Sequence, residues 1–181
     1  MDEAGWLPGA RRVPSPHQDA RPPGATVDLV VVHGISLPPG RFGGPWVERL
    51  FLGRLDPEAH PSFRGLAGLR VSAHLFIRRD GELVQFVPLG RRAWHAGRSC
   101  HEGREGCNDF SVGIELEGTD ELPYEPVQYQ VLAAVCRELM RRFPAVTAQR
   151  VVGHCHVAPG RKTDPGPAFD WALLRRLLQE G

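Results

Sequence analysis

The sequence predicts an α/β fold in which a central mixed β-sheet is flanked by helices and joined by long ordered loops. Three observations carry this. Residues 73–78 and 82–87 alternate around Asp80-Gly81, a dipeptide that favours tight hairpin turns, so part of the sheet is antiparallel. Other strand-like runs are separated by stretches of helical period, the kind of crossover that parallel strands need. The 17 Pro and 21 Gly, crowded before residue 70 and around the motifs, leave shaped loops around a compact sheet.

Taken in order, residues 1–26 read as a Pro-rich extended leader in which His17 is at most a surface or packing residue. Leu29, Val30, Val31 and Val32 form an apolar run rich in β-branched residues that ends on His33, the signature of a buried strand. Residues 45–52 suit a short helix. The hairpin follows at 73–78 and 82–88, and residues 111–117 make a further strand. Across 126–143, Val127, Val131, Val135, Leu139 and Phe143 recur every four residues opposite Gln128, Arg137, Glu138 and Arg141, which predicts an amphipathic helix. A strand at 150–153 and a helix at 168–179, burying Phe169, Leu173, Leu174, Leu177 and Leu178, complete the chain. These elements make one domain, with a leader (1–26), a core (27–168) and a terminal helix (168–180). A chain of 181 residues can bury a sizeable core.

Lys plus Arg number 22 and Asp plus Glu 21, so the net charge of +1 gives no electrostatic reason to expect nucleic acid or a membrane as partner. No protein partner is implied either. No run approaches the roughly 18 apolar residues of a membrane span, and the acidic start lacks the apolar stretch of an export signal. A cytoplasmic location is therefore expected, and with it free thiols at Cys100, Cys107, Cys136 and Cys155, which show no paired spacing.

The segment from Gly153 to Pro167, G-H-C-H-V-A-P-G-R-K-T-D-P-G-P, carries the chemistry. His154 and Asp164 are candidate metal ligands held by a Gly- and Pro-rich loop, and Lys162 places a cation beside them. A catalytic zinc takes three protein ligands and keeps one position open. His33, at the end of a buried strand, is the best third ligand, since it can meet a loop leaving a neighbouring strand's end. His156, two residues after His154, would compete if the strand continued. Hydrolysis also needs a base. Glu115 and Glu117 share a strand face with Ser111 and Gly113, and the alternation does not choose between them. Lys162 is the candidate for stabilising an oxyanion.

Several blocks then carry a resemblance: V-V-V-H-G-I-S-L-P-P-G (30–40), F-G-G-P-W (42–46), L-R-V-S-A-H (69–74), R-A-W-H-A-G (92–97), C-N-D-F-S-V-G-I-E-L-E-G-T-D (107–120) and G-R-K-T-D-P-G-P-A-F-D-W (160–171). In order and spacing they resemble the zinc amidase and peptidoglycan-recognition superfamily, and within it the cytoplasmic bacterial anhydro-muramyl-L-alanine amidases. The resemblance implies a mixed sheet and one Zn²⁺ held by His33, His154 and Asp164. It makes Glu115, the first carboxylate of E-L-E, the base, and Lys162 the oxyanion donor. It also implies hydrolysis of the amide between the lactyl group of 1,6-anhydro-N-acetylmuramic acid and L-Ala of the stem peptide, in muropeptide recycling. Trp94 would pack on the sugar, Arg70, Arg104 or Arg161 would meet substrate carboxylates, and Asn108 would contribute a further contact. Three positions depart from the family pattern: Gly34 replaces Asn, Gly106 replaces Arg, and His156 replaces an acidic residue. A lytic amidase acting on polymeric peptidoglycan and a non-catalytic muropeptide-binding module are the competing readings.

Overall fold

The computed structural model describes residues 2 and 4–180. In chain order its strands are β1 (Arg11–Arg12), β2 (Gln18–Ala20), β3 (Leu29–Ile35), β4 (Leu75–Ile77), β5 (Leu83–Gln85), β6 (Arg91–Ala93), β7 (Cys100–His101), β8 (Arg104–Glu105), β9 (Ser111–Glu117) and β10 (Val151–Gly153). Its helices are α1 (Trp46–Phe51), α2 (Pro126–Arg142), α3 (His154–Val157) and α4 (Trp171–Gln179). A six-stranded sheet in the order β1-β5-β4-β9-β3-β10 is parallel except at the β4–β5 hairpin, so the mixed sheet predicted from the sequence is present.

The period of two along the strands sorts side chains between the two faces. Val30 and Val32 of β3, Val112, Ile114 and Leu116 of β9, and Leu75 and Ile77 of β4 pack with Leu132, Cys136 and Leu139 of α2 and Leu174 of α4. On the opposite face, Leu29 and Val31 meet Ala96, Cys107, Phe110 and Val157. Phe76, Val84 and Phe86 meet Val47, Leu50 and Phe51 of α1. His33 and Glu115 sit opposite each other in the β3–β9 register, on the face away from α2 and α4.

Several elements differ from expectation. The 1–26 leader is tied into the fold: β1 pairs with β5 and β2 with β6. The buried Gln85 amide accepts from Leu7 N and donates to Gly5 O, and Arg11 spans Glu48 and Glu82. Such short edge strands carry too few residues for alternation to reveal. His17 is a packing residue, buried against Trp94. The last helix starts at Trp171, where the Asp170 side chain accepts from Leu173 N, so Phe169 packs from the preceding loop instead. The four cysteines are free thiols.

Gln128 is the clearest correction on α2. It belongs to the buried face, not the polar one. Its side-chain oxygen accepts from Glu125 N in a capping box, and its amide nitrogen donates to Ile77 O and Glu117 O. One side chain thereby starts the helix and clamps it to the ends of β4 and β9. Replacing Gln128 with Leu strands three backbone groups, and the expected loss is about 2–4 kcal/mol from unsatisfied buried polar atoms. Urea denaturation of the variant measures it.

Candidate active site

Strand ends deliver the site. β3 supplies His33 and β9 supplies Glu115 in register beside it. β10 ends at Gly153 and passes directly into α3, whose first residue is His154. A Cβ at Gly153 would lie 3.0 Å from Pro165 Cδ and 3.1 Å from Trp171 Cζ2, so a side chain at the strand-to-helix turn would press on both. Cys155 N donates to Asp164 O at 3.0 Å, which folds the intervening loop back and brings Asp164 to His154.

His33, His154 and Asp164 converge. One ligand atom from each lies within 4.8 Å of the others. His33 Nδ1 is 3.0 Å from His154 Nδ1 and 3.1 Å from Asp164 Oδ2. The other nitrogen of His154, Nε2, donates to the Ala96 carbonyl at 3.2 Å, which leaves its Nδ1 a lone pair aimed at the common point. Burial pushes His33 down to about 4, so its ring is neutral at pH 7. Burial alone would raise the Asp164 carboxyl, but the two imidazoles beside it outweigh that and hold it below its ordinary value. Two imidazoles and a carboxylate this close fit a tetrahedral zinc site, whose ligand atoms stand about 3.3 Å apart at metal–ligand bonds near 2.0 Å.

Glu115 lies beside this cluster. It is buried, and its Oε2 has no hydrogen-bond partner. Burial, reinforced by the Asp164 charge and opposed by Lys162, pushes its carboxyl well above the ordinary value of 4.5. Glu117 shares its strand face but is fully engaged: Oε1 accepts from Gly43 N at 2.6 Å and Oε2 from Arg79 N at 3.2 Å. Of the two carboxylates that alternation left equivalent, Glu117 has both oxygens partnered and Glu115 keeps a buried oxygen without a partner. Lys162 is exposed and lines the same cleft, about 220 Å³ in volume, with Leu69, Trp94, His95, Glu115 and the three ligand candidates. A larger cavity of about 760 Å³ lies toward Arg98, Glu105 and Arg161 and contains none of the clustered donors.

The remaining predicted residues fall in different places. Trp94 lines the cleft, stacked on His17 at 6.0 Å with the Arg70 guanidinium 5.2 Å from its ring centre. Arg161 donates to Ala96 O and Arg98 O and borders the larger cavity. Asn108 is absent from the cleft lining: its Oδ1 accepts from His95 N and Ala96 N and holds that loop. His156 turns away because residues 154–157 are helical and not extended. Its Nδ1 accepts from Gly153 N and its ring packs on Trp171. At Gly34 a Cβ would lie 2.2 Å from the Tyr124 hydroxyl, which fills the space an Asn side chain would need. His95, to which sequence reasoning assigns no role, lies 2.9 Å from His33 Nε2. Its place inside R-A-W-H-A-G, one of the motif blocks, is the only sequence signal for it.

The family described as N-acetylmuramoyl-L-alanine amidase matches residues 23–167. The 1,6-anhydro-N-acetylmuramyl-L-alanine amidase AmpD of Citrobacter freundii is 64% identical over 98% of this chain and 94% of its own length. A crystal structure of a selenomethionine AmpD derivative superposes with a TM-score of 0.95 at 62% identity, covering 98% of this chain and 99% of that one. The amidase AmiD from E. coli, solved with anhydro-N-acetylmuramic acid-L-Ala-D-γ-Glu-L-Lys, gives a TM-score of 0.61 at 28% identity over 87% of this chain and 60% of that one.

The elevation of Glu115 has a signed consequence for the metal-free protein. A carboxyl raised in the folded state stabilises the fold only while protonated, and the contribution is lost as pH rises from 4.5 through the folded value. Glu115→Gln removes that ionisation. The metal-free variant should melt above metal-free wild type at pH 7, with the gap closing as pH falls toward 4.5. Melting temperatures across that range check it.

Proposed function

The chain belongs to the N-acetylmuramoyl-L-alanine amidase family, and on that premise we propose that it hydrolyses the amide between the lactyl group of 1,6-anhydro-N-acetylmuramic acid and L-Ala of the stem peptide. We further propose that it does so with one Zn²⁺ per chain, in cytoplasmic muropeptide recycling. The convergence of His33, His154 and Asp164 beside the partnerless Glu115 carboxyl carries the reading. Similarity to AmpD along nearly the whole of both chains supports the anhydro-sugar substrate. A module that only binds would have no use for a donor cluster next to a buried, unpaired carboxyl.

His33, His154 and Asp164 would hold the metal. Bound zinc supplies Lewis acidity that polarises the scissile carbonyl and lowers the pKa of water. Glu115 takes the water's proton at Oε2 and delivers it to the leaving nitrogen, and its raised basicity suits both transfers. Lys162, at the cleft wall, answers the negative charge that develops on the carbonyl oxygen. Trp94 and Arg70, already paired, present one rigid wall to the sugar, and Arg161 meets substrate carboxylates from the far side. Asn108 acts through the 95–96 backbone and not on substrate.

Mass spectrometry after incubating zinc-loaded protein with soluble anhydro-muropeptide, and separately with intact sacculi, tests the substrate. Release of anhydro-muramic acid and free peptide should dominate; faster turnover of sacculi would move the function to the lytic class. The ligands are tested by metal content. Alanine at His33, His154 or Asp164 should remove activity and weaken zinc retention, and full occupancy in His154→Ala would overturn the ligand set.

The division of labour is read in kcat. Glu115→Gln should keep zinc and lose roughly 10²–10⁴ in kcat. Lys162→Ala should keep zinc and lose roughly 10²–10³. Glu117→Gln should turn over near the wild-type rate yet lose about 1–3 kcal/mol of stability, because an amide cannot accept from both backbone N–H groups. An active Glu115→Gln beside an inactive Glu117→Gln would reverse the assignment.

A further inference from the structure

We propose that His95 is a positioning residue of the metal centre: through one hydrogen bond it fixes which ring nitrogen of His33 faces the ion. The inference rests on the ligand assignment above.

It follows from a chain of hydrogen bonds whose direction is set at one end. The Cys107 carbonyl can only accept, and Ser111 Oγ lies 2.6 Å from it, so the serine proton points there. Ser111 Oγ then has only lone pairs to offer His95 Nε2, 3.1 Å away, and that nitrogen must carry the proton. A neutral imidazole has one N–H, so His95 Nδ1 is bare and accepts. His33 Nε2, 2.9 Å from it, must therefore donate. That leaves His33 Nδ1 bare, and Nδ1 is the atom that meets His154 Nδ1 and Asp164 Oδ2. A peptide carbonyl three links away thus ends as a lone pair at the metal position.

The fold holds every link in place. His95 lies on the β9 backbone where Gly113 has no side chain, and a Cβ there would come within 2.3 Å of the His95 Cγ. Asn108 grips the His95 amide, and Arg21 NH2 donates to the Ser111 carbonyl at 2.9 Å. His74 pins the strand from beside it, its Nδ1 accepting from Gly113 N. The His33 and His95 rings meet edge-on at 89°, which is compatible with that hydrogen bond. Partners of this kind orient a ligand histidine and raise its basicity, and losing one costs about 10–100-fold in metal affinity.

The test separates this role from simple packing. Long-range ¹⁵N–¹H spectra of the labelled wild-type protein, without and with Zn²⁺, report the tautomers directly. His95 should carry its proton on Nε2 and His33 on Nε2 in both states. A proton on His95 Nδ1 would overturn the proposal even if no variant folds. Zinc affinity by chelator competition is the second arm. The amide of His95→Asn reaches the Nδ1 position and should hold zinc within about 3-fold of wild type, a small part of the 10–100-fold range. His95→Gln reaches the Nε2 position instead, leaves His33 without its acceptor, and should bind roughly 10–100-fold more weakly. Equal affinities for the two variants would also overturn it. Wild-type protein that takes no zinc would refute the ligand assignment, while the metal-free tautomers would still decide the hydrogen-bond chain.

Discussion

Parallel pairing of β3 with β9, in the register that sets His33 against Glu115, is the constraint on which the rest of the site depends. Val30, Val32, Val112, Ile114 and Leu116 turn to the α2–α4 face in that register and are fully buried. Each such side chain contributes about 1.5–3 kcal/mol of burial. A slip of one residue would send all of them to the other face and take the chemistry with them. Hydrophobic burial on one face therefore sets atomic positions on the other. It also outweighs the cost of enclosing an unpaired carboxyl oxygen at Glu115.

Glu115 and Glu117 show how finely the second face is divided. Two identical side chains two residues apart point the same way, yet one is saturated by backbone N–H groups and the other is left bare beside a convergent donor set. Glu117 fastens the loop through Gly43 and the start of the hairpin turn through Arg79 to the central strand. The free carboxyl next to it is placed by a neighbour that is not free.

Much of this was legible in the sequence. The apolar run ending at His33, the Asp80-Gly81 hairpin, the long helix and the 153–167 segment all rest on local pattern, and local pattern is what periodicity records. What escaped depends on distant partners. Gln128 looks polar because its amide is polar, and only Ile77 O and Glu117 O make the helix's inner face its proper place. His156 could compete as a ligand only if extended backbone continued past Gly153, where the chain turns helical. Asn108 and His95 have roles set by contacts with residues 95–96 and 33, which no spacing reveals.

The leader is part of the folded unit. Residues 11–15 run along β5, with Val13 N and Ser15 N bonded to Gln85 O and Phe86 O, and so cover what would otherwise be a bare strand margin. The family match begins only at residue 23. A fragment cut to that boundary would keep every residue of the cleft and lose the strip that shields the sheet. Its β5 would offer unpaired peptide groups to a second molecule, the usual route from a folded monomer to stacked sheets. The family match and self-containment draw different borders here, and an expression boundary chosen by the first would fail on the second.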